Sequence, residues 1–217
     1  MDRILDFRKT RFITSAPDLS YLPPDQGIEI AFAGRSNAGK SSAINAICDH
    51  SGLTKTSRTP GRTRLINLFE IEPGYYLVDL PGYGYAQVPE AMRRRWQQSM
   101  SAYLQRRCAL RALVVAMDIR HPLREHDCQL LTWAAAANLP ALLLLTKADK
   151  LSPSARRGTV ERLDAELRPF RGSFTLQPFS ATRHLGITES RELLRSWYMR
   201  FHPAAPAAAP AAEGAAE

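Results

Sequence analysis

The chain has 217 residues, and its 29 Lys+Arg against 21 Asp+Glu give a formal net charge of +8. A hydrophobic fraction of 45% and a charged fraction of 23% exclude a disordered chain and are typical of one packed domain or two small ones. The longest apolar run, Leu139–Leu145, is too short to span a bilayer, and three widely spaced cysteines exclude a disulfide framework and a zinc ribbon. Since Met1–Thr10 also lacks the apolar stretch of an export signal, we expect a cytoplasmic protein without membrane contacts.

Strand-like and helix-like segments alternate along residues 25–202, which we expect to form one domain. Residues 1–24 form a lead-in segment, and residues 203–217 form a Pro/Ala-rich tail that we expect to be disordered, because its prolines break any helix. The predicted strands are Ile28–Ala33, Arg64–Ile71, Tyr75–Leu80, Leu110–Met117, Ala141–Thr146 and Phe174–Phe179. The predicted helices are Lys40–Cys48, Glu90–Arg107, Arg124–Asn138, Pro153–Leu167 and Thr188–Phe201.

This order of elements predicts an α/β fold of three layers, with helices on both faces of a sheet. The sheet is expected to be six-stranded and mostly parallel, with one antiparallel strand in the hairpin that turns at Pro73-Gly74. Because sheets of this kind bind ligands at the carboxyl ends of their strands, the residues that follow the strands are the candidates for a functional site.

A glycine-rich motif follows the first predicted strand. Residues Gly34–Ser41 read GRSNAGKS and match GxxxxGK[ST] in full, between a strand and a helix. The glycines let backbone N–H groups point at phosphate oxygens, and the following helix adds its positive N-terminal end. Lys40 is suited to the β and γ phosphates and the Ser41 hydroxyl to Mg²⁺. The motif therefore predicts a nucleoside triphosphate site; the alternative, a glycine turn that merely starts a helix, does not need Lys40 and Ser41.

The base is indicated by Thr146–Asp149, which reads TKAD at the end of a predicted strand. A carboxylate from Asp149 can accept hydrogen bonds from guanine N1–H and the exocyclic amine, whereas adenine offers it no such donors. The Lys147 stem can cover the base, and an N–H from Ala181 in Phe179–Ala181 can reach guanine O6. The alternative is a solvated loop, and an ATP site would require a different role for Asp149.

Two further segments have the character of nucleotide-dependent switches. Asp79 ends a strand in DLPG and is placed to hold Mg²⁺ through water, with the Gly82 N–H available to the γ-phosphate. The alternative there is a structural Pro-Gly turn. The polar, basic segment Leu53–Arg64 supplies the other switch. Thr63 is the preferred second Mg²⁺ ligand; Thr59 is the alternative, although Pro60 restricts its backbone.

Together the motifs GRSNAGKSS (34–42), TPGRT (59–63), DLPGYGYA (79–86), TKAD (146–149) and FSA (179–181) resemble one family. They are similar to the EngB (YsxC/YihA) family of bacterial P-loop GTPases, over roughly residues 25–201. The resemblance implies a G domain that binds GTP and Mg²⁺, acts in assembly of the large (50S) ribosomal subunit, and is needed for normal cell division and septation. The combination of DLPGYGYA with TKAD makes the resemblance specific, since most relatives of this family carry Asn where Thr146 stands.

The motifs and the resemblance together assign no certain catalytic residue beyond phosphate stabilisation by Lys40. Related GTPases place a Gln where this chain has Tyr83, so we expect slow intrinsic hydrolysis stimulated by a partner. Asn37 is a candidate K⁺ ligand, with capping of the loop as the alternative. The metal set is Ser41 and Thr63 for Mg²⁺, Asp79 through water, and Asn37 for K⁺. The expected GTP-binding residues are Gly34, Arg35, Ser36, Asn37, Ala38, Gly39, Lys40, Ser41, Gly61, Arg62, Thr63, Arg64, Leu65, Asp79, Leu80, Pro81, Gly82, Thr146, Lys147, Ala148, Asp149, Phe179, Ser180 and Ala181.

The positive charge predicts a polyanionic partner, and ribosomal RNA or the large subunit fits it. The arginines expected to contact RNA phosphates are Arg93, Arg94, Arg95, Arg106, Arg107 and Arg111 around one helix and Arg191, Arg195 and Arg200 on the last. The alternative for them is a solvated helix face, and the interleaved Trp96, Tyr103, Trp197 and Tyr198 are expected in the core. We expect a monomer that associates with ribosomes in its GTP form. A different function, a GTP-dependent interaction module of the division machinery with incidental hydrolysis, stays open.

Overall fold

The computed structural model describes residues 5–54, 65–83, 98 and 100–201. They form a seven-stranded sheet in the order β1-β3-β4-β2-β5-β6-β7. Strand β3 is antiparallel to both of its neighbours, β1 and β4, and the remaining pairs are parallel. The strands are β1 (Arg11–Ala16), β2 (Ile28–Gly34), β3 (Ile66–Glu72), β4 (Tyr75–Asp79), β5 (Leu110–Asp118), β6 (Ala141–Thr146) and β7 (Phe174–Pro178).

The predicted number of six strands is wrong by one, because the lead-in segment contributes β1. This strand pairs with β3 from Arg11↔Glu70 to Ala16↔Ile66, with an irregular register between Phe12 and Thr14. Five of its six residues are exposed or half-buried. An edge strand with so little burial lacks the apolar run that reveals a central strand such as β2, in which all seven residues are buried.

Helices cover both faces of the sheet, so the predicted three-layer α/β architecture is confirmed. Helices α1 and α5 pack on one face and α2, α3 and α4 on the other. The predicted bounds of α1 and α4 are confirmed to the residue, and those of α3 and α5 to within two residues. The helices are α1 (Lys40–Cys48), α2 (helical at residues 98 and 100–106), α3 (Glu125–Ala136), α4 (Pro153–Leu167) and α5 (Ile187–Phe201).

The parallel strands bring the predicted motifs to one edge. Strands β2, β4, β5 and β6 end at Gly34, Asp79, Asp118 and Thr146, and their registers set these carboxyl ends side by side. This is the edge where parallel sheets bind ligands. Within the described part of the chain, no helix combines the length and the apolar character needed to cross a membrane.

Candidate nucleotide site

The phosphate loop runs from the end of β2 into α1. A Cβ added at Gly34 would lie 2.6 Å from the carbonyl oxygen of Ala116, so no larger residue fits there. Gly39 has a φ of +88°, a left-handed conformation that L residues with side chains rarely adopt. Lys40 begins α1 directly after it, and the N–H groups of the first turn have no partners within the helix. The loop can therefore present unpaired amides and a helix N-terminus to a phosphate.

The side chain of Lys40 forms a buried ion pair with Asp79 at the end of β4. Strands β2 and β4 are paired, with Phe32 opposite Asp79, which brings the carboxylate to the start of α1. Ser41, the next residue of α1, is half-buried. Hydroxyl and carboxylate oxygens are hard ligands of the kind that Mg²⁺ prefers, so Ser41 and Asp79 fit this metal. The other predicted ligand, Thr63, lies outside the described residues, as do Thr59, Gly61, Arg62 and Arg64.

The DLPGY segment lies against the phosphate loop. The Leu80 N–H donates to the Phe32 carbonyl at 2.9 Å, the Tyr83 N–H donates to the Gly34 carbonyl at 3.2 Å, and the Ser36 N–H donates to the Tyr83 carbonyl at 2.9 Å. These bonds extend the pairing of β2 and β4 beyond the strands. The structure thus brings the predicted residues Leu80, Pro81 and Gly82 next to the loop that they were expected to flank.

Sequence reasoning missed the partner of Tyr83. Its ring is 1% exposed, its hydroxyl donates to Asp127 Oδ1 at 2.6 Å, and it stacks on His126 with centroids 6.1 Å apart. The other oxygen of Asp127 accepts the Arg124 N–H at 3.0 Å and so caps α3. Burial raises the pKa of Tyr83 well above its ordinary value and also raises the pKa of Asp127. The spacing of Arg124 and Asp127 could have indicated the helix cap, but nothing local links residues 83 and 127.

The base loop and the phosphate loop are joined directly. Thr146 Oγ1 lies 2.5 Å from the Ala38 carbonyl oxygen and 3.0 Å from that of Met117. Lys147 Nζ donates to the Asn37 carbonyl at 2.9 Å and lies 3.0 Å from Asp118 Oδ2. Lys147 therefore has a second role besides the expected covering of the base, which is to hold the phosphate loop. The Asn37 side chain is exposed.

The carboxylate of Asp149 is oriented by its neighbours. Ser180 Oγ donates to Asp149 Oδ1 at 2.6 Å, and Lys150 Nζ lies 3.3 Å from Oδ2. The hydrogen bond from Ser180, followed by that from Lys150, lowers the pKa of Asp149 below its ordinary value. The Ala148 N–H donates to the Phe179 carbonyl at 3.0 Å, which joins the two motifs and leaves the half-buried Ala181 beside them. An ionised, oriented carboxylate suits the paired N–H donors of guanine.

Known proteins that resemble this chain are GTP-binding proteins. The family model of the "50S ribosome-binding GTPase" matches residues 29–147. The "Probable GTP-binding protein EngB" of Glaesserella parasuis serovar 5 is 56% identical over 194 residues, which cover 89% of this chain and 93% of that one. The chain belongs to the EngB family of GTP-binding proteins. Membership makes it a P-loop GTPase, an enzyme that hydrolyses GTP.

Solved structures show the same fold. A crystal structure of an EngB protein superposes with a TM-score of 0.62 at 19% identity, covering 79% of this chain and 99% of that one. The structure of Era with MgGDPNP and nucleotides 1506–1542 of 16S ribosomal RNA gives a TM-score of 0.60 at 16% identity, covering 79% of this chain and 57% of that one. At such identities the likeness shows the fold alone, and this EngB chain shares it.

Part of the predicted RNA-binding surface is corrected. Arg107 is 8% exposed, and its guanidinium binds the fully buried Glu29, with Nη2 2.6 Å from Oε1. Because this cation is paired inside the domain, it cannot contact RNA phosphates. Tyr103, Trp197 and Tyr198 are in the core as expected.

Two arginines of α5 are also held by the protein. Arg191 donates to the carbonyls of Ile47 and Ala46 at the end of α1, and Arg195 donates to the Leu5 carbonyl. Arg106, Arg111 and Arg200 are exposed. Arg93, Arg94, Arg95 and Trp96 lie outside the described residues. In this EngB family member, the exposed Arg106, Arg111 and Arg200 are candidates for contact with an external partner.

Proposed function

We propose that the protein binds GTP and Mg²⁺ at the carboxyl edge of the sheet and acts as a GTP-controlled switch in assembly of the large ribosomal subunit. The contact that best supports the nucleotide site is the 2.9 Å hydrogen bond from Lys147 Nζ to the Asn37 carbonyl. It joins a loop suited to phosphates and a loop suited to guanine, although the two residues are 110 positions apart. One nucleotide can then contact both loops.

The phosphate end uses charge that is already in place. The N–H groups of the first turn of α1 receive the phosphate oxygens, while Lys40 exchanges Asp79 for the β and γ phosphates. Ser41 and Asp79, the latter through water, hold Mg²⁺ together with Thr63. When bound, the ion neutralises charge that develops on the transferred phosphoryl group. Because Lys40 exchanges Asp79 for phosphate, the conformation of the DLPG segment that contains Asp79 depends on the presence of nucleotide.

Hydrolysis by the isolated protein is expected to be slow. The Tyr83 side chain is buried against Asp127, so it does not orient an attacking water at the γ-phosphate. Asn37, exposed in the phosphate loop, is proposed to hold K⁺ against the phosphates and so to supply positive charge. Hydrolysis should then be faster in KCl than in NaCl, and equal rates would remove this role.

Ribosomal RNA is the proposed partner. The family model is described as a 50S ribosome-binding GTPase, and the structurally similar Era was solved with a segment of 16S ribosomal RNA. The net charge of +8 favours binding to a polyanion. We also propose that the GTP form associates with the large subunit and that the requirement in septation follows from ribosome assembly.

The test is co-sedimentation of the purified full chain with 50S particles in the presence of GTP, GDP or no nucleotide. We expect the protein to sediment with the particles in GTP and to stay in the supernatant in GDP. Lys40→Ala, which removes the phosphate cation, should abolish the GTP-dependent fraction. Sedimentation with no nucleotide dependence would contradict the switch, and no sedimentation in any nucleotide would contradict the ribosomal role.

A further inference from the structure

Asp118 is a saturated acceptor at the end of β5, outside every motif assigned to the nucleotide. Its Oδ1 accepts from Arg120 Nε at 2.9 Å and from the Arg120 N–H at 3.1 Å. Its Oδ2 lies 2.6 Å from Arg120 Nη2 and 3.0 Å from Lys147 Nζ. These four donors use all the lone pairs that a carboxylate offers. Asp118 therefore holds two cations at once.

One of these cations is the lysine that joins the two nucleotide loops. Lys147 has a φ of +55° and Asn37 a φ of +62°, so the Nζ-to-carbonyl bond joins two residues with left-handed backbones. Lysine is a flexible chain with a single charged end, and Asp118 supplies the second anchor for that end. With its ammonium held between Asp118 and the Asn37 carbonyl, the stem of Lys147 is ordered before the base arrives. Pre-ordering of this kind strengthens binding because less freedom is lost on association.

The other cation, Arg120, binds the same carboxylate through Nε at 2.9 Å and Nη2 at 2.6 Å. Its side chain is 44% exposed, whereas that of Asp118 is 15% exposed. Arg120 therefore provides a control, because its removal takes a cation from Asp118 and leaves the contact between Asp118 and Lys147 in place.

We propose that Asp118 is a positioning residue for guanine-nucleotide binding, which fixes Lys147 on the phosphate loop. The inference rests on the proposed function, because Lys147 is a base-binding residue only within it. It assigns a role in nucleotide binding to a residue that does not itself contact the nucleotide.

The test measures the affinity of the full-length protein for GDP in a set of variants. Asp118→Ala should weaken GDP binding by about tenfold, the effect of one charge-assisted contact. Asp118→Asn keeps an acceptor without charge and should be intermediate. Arg120→Ala is the matched control and should bind GDP as the unaltered protein does.

A double-mutant comparison of Asp118 and Lys147 distinguishes a positioning role of Asp118 from a general loss of structure. Asp118→Ala added to Lys147→Ala should cause no further loss of GDP affinity, since the first acts through the second. Independent effects, about a hundredfold together, would overturn the inference, as would a GDP affinity of Asp118→Ala within about twofold of the unaltered protein. If Lys147→Ala itself leaves GDP affinity unchanged, the base-site assignment fails instead. Thermal midpoints of all variants identify any loss that reflects unfolding.

Discussion

The hydroxyl of Tyr83 donates a 2.6 Å hydrogen bond to the carboxylate of Asp127, and both side chains are 1% exposed. The bond joins the end of the DLPGY segment to the N-terminus of α3, which the same carboxylate caps. The backbone of Tyr83 is at the same time bonded to the phosphate loop through Gly34 and Ser36. One residue thus connects the nucleotide edge with a helix of the outer layer.

Tyr83→Phe removes the hydroxyl and keeps the ring. We expect the free energy of unfolding to fall by about 2 kcal/mol, because a buried carboxylate loses a donor that water cannot replace. Urea denaturation measures the change. Tyr21→Phe is the control. Tyr21 is 66% exposed, so loss of its hydroxyl should leave the free energy of unfolding nearly unchanged. Equal effects of the two substitutions would show that the Tyr83–Asp127 bond does not stabilise the fold.

Thr146→Asn should tighten the binding of GDP. The Thr146 hydroxyl has a single proton for two carbonyl oxygens, those of Ala38 and Met117, whereas an Asn amide has two. One additional hydrogen bond to the phosphate loop is worth about 1 kcal/mol, or roughly fivefold in affinity. Titration calorimetry measures the difference. Thr146→Val, which has the same shape without a donor, should weaken binding. Weaker binding by both variants would show that the number of donor hydrogens at this position does not limit affinity.

Arg107→Ala should destabilise the protein by about 3 to 5 kcal/mol, because it leaves the carboxylate of Glu29 buried without its cation. The exposed neighbour Arg106 provides a matched control, and Arg106→Ala should change the free energy of unfolding by less than about 0.5 kcal/mol. Chemical denaturation of both variants measures this. Comparable stability of the two would contradict the buried ion pair.

The three cysteines should differ in reactivity toward a thiol reagent. Cys108 is exposed, whereas Cys48 is buried, and that burial raises the pKa of its thiol to about 11. At pH 8 only about one Cys48 in a thousand is then a thiolate, which is the reactive form. Ellman's reagent should modify Cys108 first and Cys48 only after denaturation, and Cys108→Ser should remove the fast phase. Because Cys128 is only partly buried, the decisive variant is Cys108→Ser/Cys128→Ser, and a thiol that reacts in it without denaturant would contradict the burial of Cys48.

Local sequence patterns were sufficient to predict elements whose ends are marked by neighbouring residues. Lys40–Cys48 and Pro153–Leu167 begin and end as predicted, because a glycine before Lys40 and a serine cap before Pro153 mark the starts. The motifs that surround the site are equally local. Their meeting at one edge followed from the parallel order of strands.

Long-range pairing escaped prediction for a physical reason. Arg107 is the partner of Glu29, 78 residues away, and a cation in a basic stretch has the same local pattern whether it faces solvent or a buried acid. Tyr83 and Asp127 are 44 residues apart, and Asp118 holds Lys147 across two neighbouring strands. Such contacts depend on register and on packing between elements, which no window of sequence contains. Strand β1 escaped because exposure on both faces removed the apolar alternation.

The position of β1 gives the lead-in segment a protective role. Ala16 and Ser15 pair with Ile66 and Asn67 at the start of β3, so β1 covers backbone groups of that strand. An uncovered strand offers a row of N–H and C=O groups to any extended chain. Strand β1 therefore protects the edge of β3 from pairing with another chain. We expect a variant that lacks residues 1–24 to expose the edge of β3 and to self-associate through it.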